Sequence, residues 1–163
     1  MKKYFIIIGL VIFVVIVVIV VCLLLHKNKF VIHSLKRLSY SYTTGNMINS
    51  SVRYDIECGD TCHITIKPDG VDDLDAKEYE FSNEKVKRVI DVLNQYHVSN
   101  WDGFDKSDPY VLDGNSFHFS LDTKKGESIS ASGYMMWPKD YRKVKESLES
   151  IFLEGIELEE KGD

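Results

Sequence analysis

The sequence predicts an α+β fold: an N-terminal transmembrane helix, then a small domain in which an antiparallel sheet of two or more hairpins packs against two helices. Three observations predict it. Apolar and polar residues alternate in several short runs bounded by turn signals, apolar residues recur at helical spacing in two longer runs, and an uncharged apolar block fills the start of the chain. In chain order the soluble part reads strands, helix, strands, helix. That order is typical of α+β folds, not of alternating βαβ units.

The block comes first. No charged residue occurs from Tyr4 through Leu25, and Gly9 and Cys22 alone interrupt the apolar run after Tyr4. As a helix it is about 33 Å long at roughly 1.5 Å per residue, enough to cross a hydrocarbon core of about 30 Å. Lys2 and Lys3 resemble the n-region of an export signal. A cleavable apolar region runs only about 7–15 residues and ends at small side chains, whereas this one continues through Leu23, Leu24 and Leu25. Val21 before Cys22 and the leucines after it also break a lipoprotein box. The expected organisation is a short tail (1–3), a transmembrane helix (4–25), a basic juxtamembrane connector (26–37), a soluble domain (38–155) and an acidic tail (156–163).

Charge separates these parts. Of the 163 residues, 20 are Lys or Arg and 25 are Asp or Glu. Six of the cations and none of the acids fall in 1–37, so 38–163 carries a net charge of −11. Phosphate backbones repel such a domain, which excludes nucleic acid as a partner. The lysines on the two flanks of the block nearly balance, leaning slightly toward a cytoplasmic C-terminal side.

Within the connector, Phe30, Val31, Ile32 and Leu35 are able either to sit at the membrane interface or to begin the fold. Leu38, Tyr40 and Tyr42 then alternate with Ser39, Ser41 and Thr43, a strand with one buried face, and Gly45-Asn46 is a turn signal. Val52, Tyr54, Ile56 and Cys58 point one way, Gly59-Asp60-Thr61 turns the chain, and Cys62, Ile64 and Ile66 resume the face. Opposing Cys58 to Cys62 also opposes Ile56 to Ile64 and Tyr54 to Ile66. The two cysteines then lie within disulfide reach: a bridge in an oxidising compartment, two thiols capping an apolar face in a reducing one.

Lys67-Pro68-Asp69-Gly70 ends this hairpin, an acidic loop runs through Asp75, and Tyr79 and Phe81 suggest a short strand. The period then becomes 3.6. Ser82 is the expected N-cap of a helix whose apolar face is Val86, Val89, Ile90, Leu93 and His97. Phe117, Phe119 and Leu121 form the next strand, Lys124-Lys125-Gly126 turns, and Ile129, Ala131 and Gly133 return, large residues opposing small ones. Pro138 opens a second helix with Tyr141, Val144, Leu148, Ile151 and Phe152 on one face, closed by Gly155.

The segment between the first helix and the second hairpin is the most individual part of the chain. It reads Val98-Ser99-Asn100-Trp101-Asp102-Gly103-Phe104, then Ser107-Asp108, Val111-Leu112-Asp113-Gly114 and Ser116-Phe117. With Ser130-Ala131-Ser132-Gly133-Tyr134 and Pro138-Lys139-Asp140-Tyr141, it resembles an uncharacterised domain of membrane-anchored proteins and lipoproteins from Clostridia-type Gram-positive bacteria, a family with no assigned activity. The resemblance spans about Ser39 to Phe152. It implies an extracytoplasmic domain behind an N-terminal anchor, and it supplies no catalytic residues. On orientation it outweighs the slight lean of the flanking charges.

Chemical motifs are sparse. The sequence has no glycine-rich phosphate loop, no H-E-x-x-H and no G-x-S-x-G. Cys58 and Cys62 are separated by three residues where the c-type haem motif has two, and no second Cys/His pair completes a zinc site. No catalytic, metal or cofactor residue is therefore assigned. His63 and His118 fall on the outward phase of their strands and are able to approach each other if both strands join one sheet. Asp102, Asp105, Asp108 and Asp113 supply carboxylates in one loop without EF-hand spacing. Trp101, Phe104 and Tyr110 lie among them, with Trp137 farther on. They form either an exposed platform for a peptide or glycan or, for Trp101 and Phe104, the filling under a helix end. Asn49-Ser50-Ser51 is a glycosylation sequon in a eukaryotic setting.

The expected function is that of a single-pass protein of the cell membrane whose small extracytoplasmic domain binds or modulates an envelope protein or glycan. The candidate ligand surface is Trp101, Asp102, Phe104, Asp105, Asp108, Tyr110 and Asp113. The alternative is an envelope hydrolase or transferase using carboxylates of the Asp102–Asp113 loop, with or without a metal; the non-enzymatic reading is preferred.

Overall fold

Seven strands join into one sheet because nearly every period-two run finds an apolar partner on the same face. They are β1 (Arg37–Thr43), β2 (Val52–Cys58), β3 (Cys62–Pro68), β4 (Lys77–Glu80), β5 (Phe104–Ser107), β6 (Ser116–Asp122) and β7 (Ser128–Tyr134), in the order β4-β3-β2-β1-β6-β7-β5. The computed structural model describes residues 13, 15–17, 30–45, 51–68 and 76–156. The chain divides into two units, 1–30 and 31–163. In the first unit, Phe13 and residues 15–17 are helical with exposed apolar side chains. The rest of the expected transmembrane helix at 4–25 lies outside the described residues. Among the described residues, no helix is long and apolar enough to cross a membrane. The acidic loop at 69–75, Asn49 and Ser50 of the sequon, and the tail beyond 156 also lie outside them.

Side-chain matching sets the register of both hairpins. Cys58 opposes Cys62, Ile56 opposes Ile64 and Tyr54 opposes Ile66 across β2–β3. Leu121 opposes Ile129, Phe119 opposes Ala131 and Phe117 opposes Gly133 across β6–β7. β1 is the central strand, antiparallel to β2 on one side and β6 on the other. Two apolar rows cross the sheet. One runs through Tyr79, Ile64, Ile56, Leu38, Leu121 and Ile129, the other through Ile66, Tyr54, Tyr40, Phe119, Ala131 and Phe104.

Two helices cover that face. Helix α1 (Asn83–Gln95) starts at Ser82, whose Oγ accepts from the Lys85 amide at 3.3 Å, and it buries Val89 and Leu93. Helix α2 (Tyr141–Phe152) buries Tyr141, Val144, Leu148, Ile151 and Phe152. It meets the sheet where Phe152 packs on Tyr54, ring centroids 5.1 Å apart, and where Tyr141 packs on Phe117 at 4.6 Å. Arg88 on α1 pairs with Glu154 just past the end of α2 at 2.6 Å.

Four expectations need correction. The sheet is mixed: β5 runs parallel to β7. Helix α1 and the 3-10 helix Val98–Trp101 carry the chain from the β4 edge to the opposite edge, so β5 is laid down by a crossover and not by a hairpin. The fold begins before Leu38, because Ile32 and Leu35 are buried and the Asn94 side chain binds both backbone groups of Ile32, at 2.9 and 2.8 Å. His97 does not belong to the face of α1; it is exposed and left-handed at φ 52°, which ends the helix. Pro138 does not open α2 either. Its carbonyl accepts from the Tyr141 amide at 3.3 Å in a turn, and Asp140 stands at the N-cap.

Candidate functional site

Both helices lie on one side of the sheet, so the outward phase of the central strands faces no other element among the described residues. Three polar rows cross this open face. Glu80, His63, Glu57, Arg37, Asp122 and Ser128 form the first, and Glu78, Thr65, Asp55, Ser39, Ser120 and Ser130 the second. Lys67, Arg53, Ser41, His118, Ser132 and Asp105 form the third. Small serines at the centre, flanked by long charged side chains, leave a groove. Its volume is about 570 Å³. Arg37, Ser39, Ser41, Arg53, Asp55, Ile56, Glu57, Thr65, His118 and Ser120 line it. Ser39 lies at its floor, only 8% exposed although it belongs to the open face.

Two ion pairs shape the walls. Arg37 gives Nε and Nη2 to the single oxygen Oε1 of Glu57, at 3.2 and 2.7 Å. That hydrogen-bonded carboxylate holds the guanidinium above its ordinary pKa. Arg53 pairs with Asp55, Nε lying 2.7 Å from Oδ2. Arg37, Glu57 and Arg53 are exposed and Asp55 is about one-third exposed, so the pairs orient groups at the groove and add little to stability.

The residues singled out in the loop do not converge on this groove. Trp101 is a core residue, 3% exposed, edge-on to Phe117 and Phe119, with Nε1 donating to the Lys139 carbonyl at 3.1 Å. Of its two sequence readings, the filling under a helix end is the one found, so Trp101 leaves the candidate ligand surface. Phe104 is half-buried against Phe117 at 6.2 Å. The carboxylates have local tasks. Asp102 accepts from the Ser130 amide, Asp105 from the Ser132 hydroxyl and Asp108 from the Tyr110 amide, at 3.1, 2.8 and 3.0 Å. Asp113 is exposed, and Tyr110 is 94% exposed. Among the described residues, no group of three His, Cys, Asp or Glu side chains is placed to hold a metal ion.

His63 and His118 stand in different rows with β1 and β2 between their strands, so they do not meet. His63 bonds Thr61 Oγ1 at 2.8 Å and lies 3.5 Å from Glu78, whereas His118 lines the groove. Cys58 and Cys62 are joined by a disulfide that closes the β2–β3 hairpin, with the half-cystines on the covered face. The groove residues had one signal in the sequence, the outward phase of their strands. Their convergence needed the strand order as well, which puts β1 between β2 and β6.

No family model, curated protein or solved structure matches this chain.

Proposed function

We propose that the chain is a single-pass membrane-anchored protein whose C-terminal α+β domain is an extracytoplasmic binding module, with the open face of its sheet as the recognition surface. The observation that carries this reading is the one-sided cover of the sheet. Seven strands support two helices on one face, while the other keeps a concave, hydrogen-bonding groove over the central strand. Convergent polar groups in a concave surface fix the orientation of a ligand held there.

Anchoring is supported by the uncharged apolar run at 4–25 and by the exposed apolar side chains of the helical Phe13, Val15, Ile16 and Val17. The extracytoplasmic side is supported by the resemblance to a domain of anchored envelope proteins and by the Cys58–Cys62 disulfide, a bond that persists in oxidising compartments. The enzymatic alternative draws no support from geometry, because Asp102, Asp105 and Asp108 each bond a different local partner and, among the described residues, the loop's carboxylates form no group of three placed to hold a metal ion.

The test is topological. In the native cells, alkaline carbonate should leave the full-length chain with the membranes, and protease added to intact cells should digest the C-terminal domain. Recovery of the chain in the detergent-free soluble fraction, or protection of the domain until the cells are lysed, would overturn the proposal.

A further inference from the structure

We infer that the groove takes a short peptide with free ends, laid extended along β2 with its carboxylate at Arg53 and its ammonium group at Glu57; this assignment rests on reading the open face as the recognition surface. The hydrogen-bonding capacity left over in the groove points to that ligand. The closest approach of Arg53 to Asp55 is through Nε, and among the described residues its terminal nitrogens donate no hydrogen bond, which leaves for a ligand the edge of the guanidinium that matches a carboxylate in bidentate fashion. Glu57 takes both bonds from Arg37 on Oε1, which leaves Oε2 for a donor.

Spacing sets the length. Arg53 and Glu57 share the open face four residues apart on one strand, about 13 Å at roughly 3.3 Å per residue. An extended peptide of three or four residues bridges that gap between its charged ends. Between those ends, Ser39, Ser41, Ser120 and Thr65 present hydroxyls, and His118 an imidazole, with no bonding partner among the described residues; these suit peptide N–H and C=O groups. The lining carries two guanidinium groups and two carboxylates, so a ligand of balanced charge leaves neither sign in excess. It holds no Phe, Tyr or Trp ring, the usual platform for a sugar, and this favours peptide over glycan.

The test is calorimetric titration of the full-length chain in detergent micelles with tetra-alanine. Binding is expected, weakened at least about tenfold by Arg53→Gln, by Glu57→Gln, and by amidating or acetylating the peptide's ends. Ser120→Trp, which fills the groove, should abolish it. Circular dichroism checks that each variant is folded. Equal affinity for capped and free peptides overturns the peptide assignment. If maltotetraose binds instead and Ser120→Trp abolishes that binding, the groove stands as the recognition surface and the peptide assignment falls. If neither titrant binds, the groove reading falls with it.

Discussion

Tyr40 and Tyr141 bring two hydroxyls within 2.9 Å of each other in the core, one donating to the other. Tyr141→Phe leaves the Tyr40 hydroxyl buried without its partner and should cost about 1–3 kcal/mol, part of which Tyr40→Phe in the same chain recovers. Urea melts of the two single variants and the double variant form the cycle that measures this. Burial also raises the pKa of both tyrosines, and it pushes Tyr54 up to about 12, with the Glu149 charge adding to the effect. The folded state therefore holds these protons more tightly than the unfolded chain, whose tyrosines ionise near pH 10. Stability from this source is complete below about pH 10 and is lost as the pH climbs through about 12. Tyrosinate absorbance from the three should appear only together with loss of the near-ultraviolet circular dichroism. Ionisation near pH 10 in a still-folded protein would contradict their burial.

The β2–β3 hairpin shows why an element survives the loss of one constraint. Its disulfide closes a five-residue ring, which by loop entropy stabilises the fold by at most about 2 kcal/mol. Ile56 against Ile64 and Tyr54 against Ile66 hold the same register without it. Reduction, or Cys58→Ser with Cys62→Ser, should therefore lower the melting temperature modestly and leave the far-ultraviolet spectrum of the folded protein unchanged; global unfolding on reduction would place the register in the bridge instead. The same redundancy is why these elements were legible in the sequence. Both hairpins alternate over several residues and both α-helices repeat an apolar face, so each element is specified many times over. β5 was not legible, because Phe104-Asp105-Lys106-Ser107 has one apolar residue and is held at the sheet edge largely by backbone bonds. The groove was half legible. Ser39, Ser41, Arg53, Asp55, Glu57 and His118 could be placed on outward phases, but alternation does not say which strands are neighbours.

For the molecule as a whole, the consequential boundary is where the fold begins. Basic residues mark 26–37 as a connector in the sequence, in which Ile32 and Leu35 are able either to sit at the membrane interface or to begin the fold. Ile32 and Leu35 are 1% and 2% exposed, however, and Asn94 closes a two-bond clamp on Ile32. Lys36 extends the central strand, its amide donating to Asp122 and its carbonyl accepting from Cys58, both at 2.9 Å. The segment is thus part of the core and of the sheet, and it reaches the strand that carries the groove floor. Burial of two aliphatic side chains is worth about 1.5–3 kcal/mol each. Removing them also strips Asn94 of its partners, a total comparable with the roughly 5–15 kcal/mol that holds an ordinary domain together. A fragment covering 31–156 should therefore unfold cooperatively in urea, whereas one covering 38–156 should show a shallow, non-cooperative loss of near-ultraviolet signal. Asn94→Leu in the longer fragment should fall between them, because it breaks the clamp while Ile32 and Leu35 stay. Equal melts for the two fragments would return residues 31–36 to the role of a connector and leave the central strand to be positioned by β2 and β6 alone.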